Sequence, residues 1–277
     1  MPFVTARDGT NLFCRRWAEG PPVVLCHSWA VNSDIWRPLM AQLASMGFQP
    51  IAYDRRGHGR SDDAGRGYDF DTLADDLASV IEALDLRDTT LVGHSMGSAE
   101  IVRYLSRHGD GRVARVVMTA PALPFAMKTA DNPTGWVDPS GLEAMWSQWR
   151  LSFTAWLVAA APSAFEAGAA PALIDQVMRM MLGTSLEAVI ACNAVGSKTD
   201  FRPELARIST PTLILHGDAD MSCPLDAAGR ETARLLTNAS LKIVPGATHT
   251  LIIERAAEVA DDIAAFVREG APAKVAA

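Results

Sequence analysis

Apolar residues follow two patterns along this chain. Residues 3–7 and 12–17 alternate apolar and polar side chains on either side of Asp8-Gly9-Thr10-Asn11. Because successive strand side chains point to opposite faces, this predicts an antiparallel hairpin at a sheet edge. After residue 20 the alternation stops. Residues 23–26, 50–53, 90–92, 113–118, 212–215 and 241–244 form short, mostly apolar runs rich in β-branched residues, as strands do when both faces of a parallel sheet are covered. Helical periods separate them at 35–46, 71–84, 98–108, 226–236 and 256–268. Strands alternating with helices imply right-handed crossovers, and hence an α/β fold with a twisted, mostly parallel sheet of about eight strands flanked by helices.

One region breaks the alternation. Residues 123–201 carry no convincing parallel strand; they are helical, Ala- and Met-rich, and hold Trp136, Trp146, Trp149 and Trp156, four of the seven tryptophans. The pattern predicts a helical cap at 123–201 inserted between two strands of a core built from 1–122 and 202–269, with 270–277 a tail lacking packing signal. The apolar content of the cap exceeds what a pair of helices can cover, so part of it faces the core across a cleft. Most of the four tryptophans are expected to hold the cap together and the remainder to line a pocket. The longest apolar stretch, 151–165, contains Pro162 and is shorter than the roughly 20 residues a bilayer crossing requires.

In such sheets chemistry collects beyond the carboxyl ends of the strands. The segment Thr90-Leu91-Val92-Gly93-His94-Ser95-Met96-Gly97-Ser98 reads as a strand, a G-x-S-x-G turn and a helix start. A serine hydroxyl is a weak nucleophile, so it must be exposed, close to a base and close to N–H groups that hold a developing oxyanion. A sharp strand-to-helix turn supplies the exposure together with one donor, the Met96 N–H at the helix start. Glycine suits positions 93 and 97, where strand and helix crowd each other. A base and an orienting carboxylate follow. The run 211–215 ends in His216-Gly217-Asp218-Ala219-Asp220, a turn with two carboxylates, and Val244-Pro245-Gly246-Ala247-Thr248-His249 delivers a histidine behind the last strand.

Composition narrows the picture. The 277 residues are 49% hydrophobic and 21% charged with a net charge of −7, which suits one large folded domain and argues against a nucleic-acid partner. Cys14, Cys26, Cys192 and Cys223 are scattered; the spacing predicts neither disulfides nor a metal site, and Cys26 is expected to pack as a small hydrophobe. The first nine residues show no basic segment followed by an apolar one, so the expected compartment is the cytoplasm and no membrane partner is expected. Asp75-Asp76 and Asp261-Asp262 fall on helices and are expected on solvated faces.

The elbow 93–97, the loop Tyr53-Asp54-Arg55-Arg56-Gly57-His58-Gly59-Arg60-Ser61, the turn 216–220 and the loop 246–249 together resemble the α/β-hydrolase superfamily, over essentially residues 3–267. Within it, Asp131-Asn132-Pro133 and Thr199-Asp200-Phe201-Arg202 resemble the branch of cofactor-free haloperoxidases, perhydrolases and esterases. The chain order Ser95, Asp220, His249 is that of the superfamily. The resemblance implies Ser95 as nucleophile, His249 as base and Asp220, rather than Asp218, as the triad acid; Asp218 is expected to bond backbone N–H groups of the turn. It also implies a second oxyanion donor at the Trp29 N–H, in a loop where relatives read H-G-x and this chain reads His27-Ser28-Trp29. Ser28 is expected to cap that loop, with a substrate contact as the alternative, and Trp136, Trp146, Trp149 and Trp156 are candidate substrate contacts. His27, His58, His94 and His216 are expected to bond backbone, and Asp54 and Arg55 to bond locally. No metal or organic cofactor is implied, and homo-oligomers are compatible with the resemblance. The implied activity is a serine hydrolase acting on a carboxylic ester or lactone with a small or medium apolar group. Perhydrolysis with haloperoxidase activity, carbon–carbon bond hydrolysis and a non-catalytic ligand-binding role are the alternatives.

Overall fold

A computed structural model describes residues 2–269; the tail expected at 270–277 lies outside them. Eight strands, β1 (Phe3–Thr5), β2 (Asn11–Arg16), β3 (Pro22–Cys26), β4 (Gln49–Tyr53), β5 (Thr89–His94), β6 (Val113–Thr119), β7 (Thr212–Gly217) and β8 (Ala239–Val244), form one sheet in the order β1-β2-β4-β3-β5-β6-β7-β8. The β1–β2 hairpin is antiparallel and pairs antiparallel to β4, as its alternation predicts, and every later pairing is parallel. The chain moves outward from β3 to β4 and then returns past β3 to β5. That reversal opens a crevice at the carboxyl ends of β3 and β5, where register sets Cys26 opposite Gly93.

The apolar runs lack alternation because the sheet has two covered faces. Val24, Cys26, Ile51, Tyr53, Leu91, Val116 and Ile214 face one core with α2 (Phe70–Ala83) and α3 (Met96–His108). Their strand neighbours Val23, Leu25, Ala52, Val92, Val117 and Leu213 face the other. There they meet α1 (Arg37–Ser45) and α10 (Ala256–Glu269). Each fully buried aliphatic side chain of this kind is worth about 1.5–3 kcal/mol.

Between β6 and β7 the chain forms α4 (Pro139–Ala160), α5 (Pro171–Leu182), α6 (Leu186–Lys198) and the short α7 (Arg202–Leu205). Helix α4 is broken at Ser152 (φ −162°, ψ 89°). Leu142, Trp146, Trp149, Phe153 and Leu157 of α4 pack with Val189 and Ile190 of α6, and the cluster reaches Ala30 and Trp29 behind β3. The two segments that carry the branch resemblance touch: Arg202 pairs with Asp131 at 2.7 Å and with Asp200 at 2.7 Å. They join the first and last parts of the inserted chain.

The helix read at 226–236 is present as a π-helical turn at Asp226–Arg230 followed by α8 (Glu231–Leu235). There Gly229 lies against the His216 ring, with only 2.4 Å between His216 Nδ1 and the position a Cβ would take. Asp76 is not on a solvated face: it is buried and pairs with buried Arg56 at 2.6 Å. Helical periodicity alone cannot see an arginine arriving from a loop 20 residues away. After β8, α9 (Leu251–Glu254) precedes α10.

The start of α3 presses closely on the end of β3. A Cβ on Gly97 would stand 2.1 Å from the Cys26 carbonyl oxygen and 2.9 Å from that of His27, backbone atoms that cannot swing aside. Gly97→Ala is therefore expected to cost about 3 kcal/mol or more, read as a fall in urea midpoint. A change below about 0.5 kcal/mol, the size of an ordinary surface substitution, would show that β3 and α3 are not in this contact.

Candidate active site

Ser95 links β5 to α3 with φ 53° and ψ −116°, a left-handed backbone conformation that costs a non-glycine residue of order 1–3 kcal/mol. The surroundings hold it there. The Ser95 N–H donates to Thr119 O at 3.0 Å, its carbonyl accepts from Ser98 N at 3.0 Å and Ala122 N at 3.3 Å, and Ser98 Oγ donates to Gly93 O at 2.9 Å. At Gly93 an added Cβ would stand 2.6 Å from Ser98 N. Strand and helix thus crowd the turn as the two glycines predict.

Asp220 and His249 come from loops sewn together by backbone. Gly217 lies so close to Ala247 that a Cβ there would fall 1.9 Å from Ala247 O, the Ala219 N–H donates to Ala247 O at 3.1 Å, and the Gly246 N–H donates to Asp218 Oδ1 at 2.6 Å. Asp218 therefore bonds the neighbouring histidine loop and not its own turn. Asp220 Oδ1 accepts from Ser222 N at 2.8 Å and Cys223 N at 2.9 Å, and Oδ2 lies 2.8 Å from His249 Nδ1. Burial pushes the Asp220 carboxyl up, but His249, His216 and the Cys223 N–H outweigh it and hold the group well below the usual carboxylate range. An ionised Asp220 accepts a hydrogen bond from His249 Nδ1–H, which leaves Nε2 with a free lone pair. Ser95, His94 and His249 line one cavity of about 420 Å³, and no Ser95–His249 hydrogen bond forms among the described residues. In unliganded sites of this kind that bond tightens only with substrate bound.

The loop after β3 is built from buried polar groups. His27 Nδ1 donates to Ser28 O at 2.8 Å, and His27 Nε2 accepts from Arg55 N at 2.9 Å. The Arg55 guanidinium donates to His27 O at 2.8 Å and Ser28 O at 3.3 Å, and pairs with Glu100 Oε2 at 2.6 Å. Arg55 and Glu100 are both fully buried, and Tyr53 donates to the other Glu100 oxygen. Arg55 thus does not bond locally; it ties the oxyanion loop to α3, the helix that begins beside Ser95. Sequence reasoning missed this, because a charged residue in the middle of an apolar-faced helix announces only that it needs a partner. The Trp29 N–H, left without a protein acceptor among the described residues, is free to serve as the second donor. Glycine's freedom is not needed at position 28: the left-handed residue in this loop is Ala30, with φ 59°. Ser28 does not cap the loop either; its hydroxyl makes no protein hydrogen bond among the described residues and lines the cavity.

Of the four cap tryptophans, Trp136 and Trp156 line the cavity, whereas Trp146 and Trp149 do not. Trp149 stands behind the wall, with ring centroids 5.2 Å from Trp29 and 4.8 Å from Trp156. Its composition could not rank these rings, since burial order in a cluster depends on helix rotation. Residues not singled out from sequence also line the cavity, among them Cys223, Ser222 and Asn193. Cys223 follows Asp220 by three positions; burial and the Asp220 charge push its thiol well above the usual thiol range. His216 Nε2 donates to Cys223 O at 2.8 Å and lies 3.3 Å from Asp220 Oδ2. His58 Nδ1 donates to Arg56 O at 2.8 Å and His94 Nδ1 to Thr119 O at 3.0 Å. These four histidines bond backbone as expected, although His58 Nε2 and His216 Nδ1 remain without partners. No group of three or more metal-ligating side chains forms among the described residues.

Comparison with known proteins decides the family. Residues 21–176 match the model described as alpha/beta hydrolase fold. The chain belongs to the α/β-hydrolase fold family. Residues 180–275 match a second model, described as TAP-like protein. A non-heme chloroperoxidase from Kitasatospora aureofaciens is 38% identical over 90% of this chain and 92% of its own. A bifunctional esterase/perhydrolase from Acinetobacter calcoaceticus is 32% identical over 97% of this chain and all of its own. Among solved structures, bromoperoxidase from Bacillus anthracis superposes with a TM-score of 0.92 at 30% identity, covering 96% of this chain and 99% of that one. As in those relatives, an α/β-hydrolase enzyme of the haloperoxidase, perhydrolase and esterase branch is encoded here. No single helix among the described residues is long and apolar enough to cross a membrane.

Two expected outcomes follow from the buried groups. Removing Arg55 strands Glu100 as an uncompensated buried charge and frees two loop carbonyls; Arg55→Ala is expected to lower stability by about 3–5 kcal/mol and, in the folded fraction, to lower kcat more than it raises KM. An unchanged kcat in folded protein would separate Arg55 from the oxyanion loop. Burial, aided by the Arg55 charge, depresses His27 and holds His58 at about 3, while burial and His249 hold His94 at about 3, all from an ordinary 6.5. Between pH 6.5 and about 3 the unfolded chain binds these protons and the folded chain does not, so stability is lost as pH falls, by about 1.4 kcal/mol per unit and per imidazole. Asp76, pushed up to about 6 by burial against its Arg56 partner, offsets one proton. A Tm that stays level or rises from pH 6.5 to 5 would contradict this balance.

Proposed function

We propose that the enzyme hydrolyses a carboxylic ester or lactone through an acyl-enzyme on Ser95. The observation that carries this is the His249–Asp220 pair at 2.8 Å, on loops sewn together by backbone, opening into the same cavity as a serine held in a strained elbow. His249 Nε2 takes the hydroxyl proton as Ser95 Oγ attacks the carbonyl carbon. Asp220 keeps the imidazole in the tautomer that can do so and stabilises the imidazolium that forms. The Met96 and Trp29 N–H groups receive the oxyanion, each worth about 3 kcal/mol in comparable sites. The imidazolium then protonates the leaving oxygen, and water activated by the same histidine releases the acid.

The cap, residues 123–201 in this proposal, supplies the walls that select the substrate. Trp29, Trp136, Trp156, Leu157, Val177 and Met181 give the cavity an apolar lining, and no Lys, Arg, Asp or Glu is among its lining residues. A charged or polymeric substrate would lose solvation there with nothing to replace it. A small or medium apolar acyl or alkyl group fits. Perhydrolysis is supported as a second reading by the relative named an esterase/perhydrolase: hydrogen peroxide in place of water at the acyl-enzyme yields a peracid with no change of residues.

A fluorophosphonate probe is expected to label the folded wild type once, and Ser95→Ala not at all. Ester turnover by Ser95→Ala should fall by about 10⁴-fold or more, together with peracid formation when peroxide is supplied. Wild-type protein that is folded yet neither labelled nor active on a graded panel of p-nitrophenyl esters and lactones would sink the hydrolase reading in favour of a ligand-binding one.

A further inference from the structure

Within the apolar cavity one polar side chain has a fixed direction. Asn193 of α6 lines the cavity, and its Oδ1 accepts the indole N–H of Trp146 at 2.8 Å. An indole N–H is a donor only, so it must meet the amide oxygen; this sets the orientation of the amide and leaves Nδ2 with its two hydrogens on the other side. Nδ2 has no protein acceptor among the described residues and is not sealed from solvent. Trp146 is itself held. It is buried in the α4–α6 cluster, and the ammonium of exposed Lys198, on the last turn of α6, lies 4.9 Å from its ring centroid. The tryptophan therefore belongs to the site through Asn193 and not by touching the cavity.

A second observation marks the same wall. Gly196, one helical turn beyond Asn193, also lines the cavity, and a Cβ built on it meets nothing within 4 Å. Its φ is ordinary for a helix, so no backbone need explains a residue that costs a helix interior about 1 kcal/mol relative to alanine. The missing side chain leaves open space beside the Asn193 amide.

We infer that Asn193 and Gly196 form a subsite for a neutral hydrogen-bond acceptor, such as an ether, ketone or second ester carbonyl, carried by the substrate away from its scissile carbonyl. This deepens the ester and lactone reading above and rests on it. The acceptor is neutral because no cation lines the cavity. A site with a committed donor discriminates against an analogue lacking the acceptor, which would cover the amide and leave it unpaired.

The test uses matched p-nitrophenyl esters of equal chain length, with one methylene replaced in turn by an ether oxygen or a ketone along the acyl chain. For at least one position the acceptor-bearing ester is expected to show a kcat/KM about tenfold above its hydrocarbon twin. Asn193→Asp keeps an acceptor for Trp146 while removing the donor, and should erase the preference by lowering kcat/KM about tenfold more for the acceptor-bearing ester than for its twin. Gly196→Leu should fill the space and erase the same preference. Binding of the non-reacting ketone analogues of the pair to Ser95→Ala, by calorimetry, reads the subsite without turnover, so a failure of the hydrolase reading is distinguishable from a failure of this one. No preference at any position in either turnover or binding, or an equal loss for both twins in Asn193→Asp, would overturn the subsite.

Discussion

The crevice at the carboxyl ends of β3 and β5 is organised around a backbone conformation that serine does not favour. Ser95 sits at φ 53° because β5 must turn into α3 within one residue while α3 presses on the end of β3. Gly97 lies within 2.9 Å, counted from a would-be Cβ, of both the Cys26 and His27 carbonyl oxygens. That contact brings the start of α3 and the loop after β3 to the same point of the crevice. The cost of the strained serine is offset by the sheet and helix around it, which fix the turn from both sides.

Close packing does not by itself orient the oxyanion loop, which has no ladder to join. Here the chain uses charge. Arg55, from the loop after β4, grips the His27 and Ser28 carbonyls while Glu100, on α3, neutralises it at 2.6 Å. A buried ion pair is rarely a net gain over apolar packing, because desolvating two ions is expensive. Its value here is geometric: the guanidinium fork meets a carboxylate and two carbonyls at once, joining three segments that share no strand pairing. Asp220 is also held by several partners at once: its carboxylate accepts from two backbone N–H groups and from His249, and these together keep it ionised in spite of its burial.

Local pattern made the sheet legible. Unbroken apolar runs identified the six central strands, and alternation separated the edge hairpin from them, because burial on one face or two is written directly in residue order. Glycine spacing made the elbow legible, and chain order placed Asp220 and His249. What sequence order did not show were contacts between distant segments: Asp76 with Arg56, Arg55 with Glu100, and Gly229 against His216. Each joins residues more than 10 positions apart with no periodic signature. The cap was least legible. Its helices were readable as helices, yet Trp146 and Trp149, ahead of the break in α4 at Ser152, sit behind the cavity wall, while Trp156 beyond the break and Trp136 ahead of the helix line it.

This division follows from how each part is held. The loops that carry Ser95, Asp220 and His249 are fixed largely by main-chain atoms, at Gly97 against Cys26 and at Gly217 against Ala247, with the Asp218 carboxylate accepting from the Gly246 N–H. Main-chain contacts tolerate few side-chain choices, so motif residues reveal them. The inserted helices meet the core through side chains: Trp29 packs on Trp149 and Trp156, its indole N–H donates to Val189 O at 2.7 Å, and Thr184 Oγ1 donates to Ala30 O at 2.8 Å. Side-chain packing of this kind can be rebuilt with many residue sets of similar volume. Trp29 stands at the join, with its backbone in the loop after β3 and its ring in the α4–α6 cluster. A change in the packing of the inserted helices therefore reaches the loop after β3 through Trp29 and through the Thr184–Ala30 bond.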